Sequence, residues 1–129
     1  MTRTHEEVGN SPEGKYRAPE SPHAAAQAVQ EALTFVLGRW KLEILFQLFG
    51  GKVKRFSELE RSIPEVSQKM LTQQLRQLEQ DGLVERVAYA EVPPRVEYSL
   101  SAWGQELCPS LDSLLRWAAA RPAPVARAE

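Results

Sequence analysis

A run of polar side chains between residues 67 and 80 has the types and the spacing needed to contact duplex DNA. Leu71, Leu75 and Leu78 fall within about 60° of one another on a helical wheel. The opposite side carries only amide, hydroxyl and cationic groups, which belong to Lys69, Thr72, Gln73, Arg76 and Gln80. Amide and guanidinium groups make paired hydrogen bonds to base edges, and cations also contact phosphates. The pattern predicts an amphipathic helix with one face suited to DNA.

A basic but merely solvated helix is the ordinary alternative. Such helices usually mix charge signs, often as Glu and Lys four residues apart, and this face has no acidic member. Ser67 precedes the helix, where free amide groups favour a phosphate. We therefore place Ser67 and Gln68 among the predicted DNA-contacting residues. The elements on either side decide between the two interpretations.

The residues before this helix predict a helix-turn-helix. Ser57 caps a short helix, with Glu60 three residues later at the spacing of a capping box. The apolar anchors and the end of this helix are Leu59, Ile63 and Pro64. Ser67 then caps the amphipathic helix and Gly82 stops it. Two short helices joined by a tight turn are typical of this motif.

Two further helices precede the motif. The first begins at Pro22 and is ended by Gly38, and its apolar face consists of Ala25, Val29, Leu33 and Val36. The second runs from Trp40 to Phe49. Its buried stripe consists of Ile44, Leu45, Leu48 and Phe49. Gly50 and Gly51 stop it, because glycine reaches the left-handed conformation of a helix end without steric cost.

After Gly82 the apolar period changes from 3.6 residues to about 2, which predicts a β-hairpin of residues 83–89 and 95–100. Its tip contains Pro93 and Pro94. Arg95 at the base of the tip, with Arg86 on the partner strand, is placed to reach a minor groove. Each arginine could equally pair on the surface, with Glu97 or Glu85.

A last helix, capped by Ser101, has an apolar side of Leu107, Leu111, Leu114, Leu115 and Ala118. The predicted fold class is therefore mainly α with a small β-hairpin wing, a winged helix-turn-helix. We expect a disordered arm over residues 1–22 and a disordered tail over 122–129. We expect residues 23–121 to form the winged domain, which includes the first and the last helix.

Composition favours a single globular domain, with 43% hydrophobic and 26% charged residues among 129. The net charge of −1 conceals a central segment, residues 39–76, in which eight lysines and arginines face four glutamates. This local excess of +4 fits a phosphate-binding face or an ordinary solvated one. No signal peptide or membrane span is evident, so the cytoplasm is the expected location.

Nothing in the chain predicts an enzyme, a cofactor or a metal. There is no phosphate loop, no nucleophile–base pair and no metal-ligand spacing, and both histidines lie in the N-terminal stretch. Cys108 is the one cysteine, which excludes an internal disulfide. It stands at a helix start, either as a reactive thiol or as an inert small hydrophobe. Three tryptophans fit core or interface anchors better than a ligand cage; they are Trp40, Trp103 and Trp117.

These residues resemble a known family, the HxlR-type branch of the winged-helix regulators, relatives of MarR. The matching runs are RWKLEIL (39–45), RFSEL (55–59), KMLTQQLR (69–76), DGLVER (81–86) and EVPPRVEYSL (91–100), then Gly104 and Leu107. The resemblance covers roughly residues 33–117. Within it, EVPPRVEYSL together with KMLTQQLRQLE is highly specific.

The resemblance implies a transcription regulator that acts as a homodimer. The first and last helices would form the shared interface, and two recognition helices would enter successive major grooves of a pseudo-palindromic operator. It places four residues in the recognition helix and one in the wing: Lys69, Thr72, Gln73, Arg76 and Arg95.

Many members of the family sense oxidants through a cysteine about a dozen residues before the tryptophan that matches Trp40. Gln27 stands at that position here, which argues against thiol sensing and favours a non-covalent small-molecule effector. The competing interpretation is a protein-binding winged-helix adaptor, which predicts no salt-dependent affinity for DNA.

Overall fold

The computed structural model describes residues 16–124, and these contain five helices and one three-stranded sheet. In chain order the elements are α1 (Pro22–Thr34), α2 (Lys41–Leu48), β1 (Lys54–Arg55), α3 (Phe56–Ser62), α4 (Gln68–Gln80), β2 (Val84–Tyr89), β3 (Arg95–Leu100) and α5 (Ala102–Ala119). The predicted class, mainly α with a β-hairpin wing, is confirmed. The chain divides into two compact units after Leu37, and α1 belongs to the first of them.

Helix α1 begins where a capping serine meets a proline. The Ser21 hydroxyl oxygen accepts the Ala24 N–H at 3.1 Å, and Pro22 occupies the first helical position, where its missing N–H costs nothing. The helix is shorter than predicted, because the N–H groups of Phe35 and Val36 bond three residues back and tighten the chain into a turn. Val36 therefore does not extend the helical face.

The predicted disordered termini stay predictions. Residues 1–15 of the arm and 125–129 of the tail lie outside the described part of the chain. Residue 22, the predicted last residue of the arm, is the first residue of α1.

Helix α2 supplies the centre of the core. Ile44, Leu45 and Leu48 are fully buried, as predicted. Trp40 and Phe49, the predicted ends of the helix, cap it at either side. Gly50 and Gly51 have φ values of +86° and +72°, so the left-handed stop predicted from the glycine pair is confirmed.

The start of α3 differs from the prediction. Ser57 lies inside the helix, and the capping residue is Arg55, whose N–H is accepted by Glu58 Oε1 at 2.9 Å. The reason is β1, a two-residue strand that brings the chain in extended as far as Arg55 and so starts the helix earlier. Glu58 then stands at the third helical position, which Glu60 does not. Leu59 is buried as predicted.

Helix α4 matches its prediction at both ends. The Ser67 hydroxyl oxygen accepts the Met70 N–H at 3.0 Å, and Gly82 follows the helix with a φ of +83°. The apolar stripe is completely buried, where the helix packs against α2 and β2; it consists of Leu71, Leu75 and Leu78. This burial fixes which face of α4 points outward.

The strands form one antiparallel sheet in the order β1-β3-β2. The hairpin pairs Val84 with Leu100 at its base and Tyr89 with Arg95 at its tip. Because side chains alternate along a strand, Val84 and Arg86 share one face of the sheet. Lys54 of β1 pairs with Tyr98 of β3. The sequence pattern does not predict β1, the third strand of this sheet.

Helix α5 starts at Ser101 as predicted, since the Ser101 hydroxyl oxygen accepts the Gly104 N–H at 3.0 Å. A Cβ on Gly104 would overlap the carbonyl oxygen of Leu83, so only glycine allows this close approach. Cys108 lies two turns into the helix and is half-buried, not at a helix start as predicted. Pro109, the next residue, also lies inside this helix.

Candidate nucleic-acid interface

The outward face of α4 collects most of the predicted DNA-contacting residues. An open depression on this face is lined by Gln68, Lys69, Thr72, Gln73, Arg76, Gln77 and Gln80. Two of these side chains are cationic, five carry amide or hydroxyl groups, and none is acidic. The buried leucine stripe on the other side of the helix holds this polar face toward solvent.

One member of the depression was missed by the sequence analysis. Gln77 is half-buried and lies one helical turn after Gln73, with Gln80 one turn further on. The signal was present, because residues four apart share a helix face. It was overlooked because Gln77 lies closer to the leucine stripe than the other polar members.

Two hydroxyl groups at the start of this face are used differently. The Thr72 hydroxyl donates its hydrogen to the Gln68 carbonyl oxygen at 2.9 Å, so it offers the exterior only an acceptor oxygen and a methyl group. The Ser67 oxygen accepts the Met70 N–H, and its hydrogen stays available to a phosphate. Thr72 is therefore suited to contact a base edge or a thymine methyl group, and Ser67 is suited to contact a phosphate of the DNA backbone.

Arg95 does not lie on the α4 depression but on the opposite face of the hairpin tip. Its guanidinium pairs with Glu91 at 3.0 Å and with Glu97 at 3.5 Å, and it lies 4.0 Å from the centre of the Tyr89 ring. Its side chain is 27% exposed, and the buried Nε has no hydrogen-bond partner. The surface pair with Glu97 thus forms, joined by a second carboxylate, and a minor-groove role for Arg95 stays a prediction.

Arg86 is in a different position from Arg95. It is exposed on the sheet face that turns toward α4, and it does not pair with Glu85 or with any other carboxylate among residues 16–124. A cleft of about 340 Å³ lies beside it, between α4 and the sheet. Its walls are Thr72, Arg76, Glu79, Arg86 and Tyr98.

The three tryptophans divide into two kinds. Trp40 is buried, as expected of a core anchor, and the Arg39 guanidinium lies 4.4 Å from its ring centre. Trp103 and Trp117 are largely exposed on α5, together with Leu114 and Leu115. This helix therefore presents an apolar surface to solvent.

Residues 16–124 contain no group of three or more His, Cys, Asp or Glu side chains placed to bind a metal ion. Within the same range, no helix is both long enough and apolar enough to cross a bilayer.

Comparison with known proteins gives consistent matches. The model of the HxlR-like helix-turn-helix family matches residues 35–124. The chain is 51% identical over 92 residues to the HTH-type transcriptional regulator YtcD of Bacillus subtilis. The matched region covers 71% of this chain and 72% of YtcD. The structure is similar to a MarR-family transcriptional regulator from Enterococcus faecalis, with 41% identity, a TM-score of 0.69 and coverage of 73% and 84% of the two chains. The structure of the redox regulator HypR in its oxidized form is 39% identical in sequence, with a TM-score of 0.65. The match covers 75% of this chain and 99% of HypR.

Proposed function

Because this chain belongs to the HxlR-like helix-turn-helix family of transcriptional regulators, we propose that it binds a pseudo-palindromic DNA operator as a homodimer. The family resemblance predicted from the sequence is confirmed by the match over residues 35–124. The relatives are transcriptional regulators and not enzymes. The operator, the dimer and the signal are the proposed parts.

The observation that carries the proposal is the outward face of α4. It holds two cations and a set of amides without a carboxylate, in a helix whose other side is fully buried. Gln73 and Arg76 are exposed near the middle of this face, and each carries a group able to make two hydrogen bonds to one base. Ser67, Gln68 and Lys69 lie at the helix start, where the free amide groups also favour a phosphate. Arg95 would also contact DNA, in the minor groove, if its guanidinium gave up an ion pair with Glu91 or Glu97.

The proposed dimer rests on apolar side chains that one chain leaves uncovered. On α1, Val29 is 57% exposed, and no residue of this helix is buried. On α5, Leu115 is 56% and Trp117 75% exposed. An uncovered apolar helix face of this kind usually marks an interface. In a two-fold dimer, the recognition helices would lie about 34–36 Å apart, one turn of the DNA helix.

For the signal, we propose a small molecule that binds without a covalent bond. By the family resemblance, Gln27 on α1 stands where many members carry a sensing cysteine, and an amide can neither attack an electrophile nor be oxidised as a thiolate can. A ligand held at the dimer helices would act by changing the spacing of the two recognition helices.

The test is selection of binding sites from random duplexes with the full chain, followed by anisotropy titrations at several salt concentrations. We expect enrichment of an inverted repeat, and an affinity for it that falls steeply with salt. A protein-binding adaptor would enrich no sequence and show no salt-dependent affinity. That outcome would reject the proposed function.

A further inference from the structure

The cleft between α4 and the sheet lies beside the α4 depression and extends from it toward the sheet. Thr72 and Arg76 line both, so the cleft is continuous with the α4 depression. Its other walls come from Arg86 and Tyr98 on the sheet and from Glu79 near the end of α4. A molecule lying along the α4 face would therefore pass over its opening.

Strand geometry directs Arg86 into this cleft. Arg86 pairs with Tyr98 across the hairpin, and it lies two residues after the buried Val84, on the same face of the sheet. Its side chain is exposed and has no ion pair within residues 16–124. The guanidinium is thus free to bind an anion without giving up a carboxylate, unlike that of Arg95.

The other groups of the cleft match the same kind of ligand. Arg76 contributes a second guanidinium, and the Tyr98 hydroxyl has no hydrogen-bond partner in the described part of the chain. Guanidinium groups bind phosphate oxygens through paired, charge-assisted hydrogen bonds, and a hydroxyl adds one more donor. Glu79 is the opposing charge, which limits how strongly the cleft attracts any anion.

We propose that this cleft holds one phosphate group of the DNA backbone, with Arg86 as its principal ligand. The inference rests on the proposed function and adds a contact of the sheet to it. The continuity with the α4 depression favours a phosphate of bound DNA over a free anion. Because a phosphate carries no sequence information, Arg86 fixes the position of α4 on the duplex and does not select bases.

The salt dependence of binding measures this contact directly. Binding is measured with the operator from the selection experiment and with an unrelated duplex of equal length. We expect Arg86→Ala to make the negative slope of log affinity against log salt shallower by about 0.9 for each protomer bound. The loss should be the same on both duplexes. Arg86→Lys should keep the slope, since its point charge still releases a counterion, and should recover part of the affinity.

Two further variants make the result specific to the cleft. Arg116→Ala removes the same charge from α5, where Arg116 pairs with Asp112, and should leave the slope unchanged. Glu79→Gln removes the repelling charge and should strengthen binding to both duplexes. Thermal melting of each variant shows whether the fold is intact.

The outcomes separate this inference from the proposed function. If the wild-type chain binds the selected duplex and Arg86→Ala keeps the same slope, the phosphate contact is wrong and the regulator assignment stands. A loss of affinity without a change of slope, which Arg86→Lys does not recover, indicates a structural role and also overturns the contact. If the wild-type chain binds no duplex, both proposals fail.

Discussion

The Ser101 hydroxyl donates a hydrogen bond of 2.6 Å to the Gly82 carbonyl oxygen, which joins the start of α5 to the end of α4. The Ser101 N–H adds a bond of 3.0 Å to the Leu83 carbonyl oxygen. Gly104 packs against that same carbonyl group. The helix proposed for dimerisation is therefore attached to the residues that end α4, the proposed recognition helix.

This junction predicts a strong effect of Gly104→Ala. The new methyl group would overlap the Leu83 carbonyl oxygen, a backbone atom that cannot move without displacing β2. We expect the free energy of unfolding to fall by about 3 kcal/mol, at the upper end of overpacking effects. Urea denaturation followed by circular dichroism measures it.

Gly51→Ala is the control for that substitution. Gly51 has a φ of +72° and no atom within 4 Å of its added Cβ, so only backbone strain opposes the change. The expected loss is about 1 kcal/mol. Equal losses for the two variants would contradict the close approach at Gly104.

Operator binding tests the α4 face residue by residue. Gln73→Ala and Arg76→Ala should each weaken binding to the selected operator by about 1–3 kcal/mol, because each removes a group able to make two hydrogen bonds to a base. Gln105→Ala, a glutamine on α5, is the matched control and should bind as the wild type does. If both α4 variants bind normally at moderate salt, α4 is not the recognition helix.

Thr72 allows a finer test, because its hydroxyl hydrogen is already bonded to Gln68. Thr72→Val keeps the methyl group and removes the acceptor oxygen, whereas Thr72→Ser keeps the acceptor and removes the methyl. We expect one of the two to lose about 1 kcal/mol or more of operator affinity, which identifies the contact as a hydrogen bond or an apolar one. Full affinity in both variants would show that Thr72 does not touch a base.

The dimer is tested on α5. Leu115 is exposed, so Leu115→Glu should leave the fold of one chain intact while it places a charge in the proposed interface. Light scattering at micromolar concentration should show a dimer for the wild type and a monomer for this variant. Val92→Glu, at the fully exposed tip of the wing, should remain a dimer. A monomeric wild type, with or without operator, would refute the dimer.

Oxidants should not release the protein from DNA. Cys108 is half-buried within α5, and neither a lysine nor a histidine stands beside it in the sequence. Wild type and Cys108→Ser should therefore keep equal operator affinity after treatment with diamide or a quinone. Release of the wild type alone would instead identify Cys108 as a sensor at a new position.

The sequence predicts this fold well wherever local rules agree. For α4, a capping serine, a leucine stripe at helical spacing and a stopping glycine all indicate the same bounds, and the polar face follows from them. The two strands of the hairpin are predicted with ends that differ from the observed ones by at most one residue, because alternating β-branched residues flank a proline-rich tip. In these elements short-range chemistry and tertiary packing require the same structure.

The parts that were missed depend on contacts between distant residues. A strand of two residues has no period to detect, so β1 becomes visible only through its pairing with Tyr98. Because β1 fixes where α3 begins, Arg55 is the capping residue and Glu58 accepts its N–H. Without β1, the sequence favours Ser57 as the capping residue. For Arg95 the sequence left two partners open, and the position of Glu91 across the hairpin tip adds a third contact that no spacing rule indicates.

The short strand β1 has a further consequence for control of the protein. It connects directly to α3 while its two residues are hydrogen-bonded to β3, so the helix-turn-helix and the wing share one continuous backbone framework. The position of α3 relative to the wing is thereby restrained. In the proposed dimer, an effector would then act on the distance between the two helix-turn-helix units, each of which carries its wing on this shared backbone, and less on the arrangement within each unit.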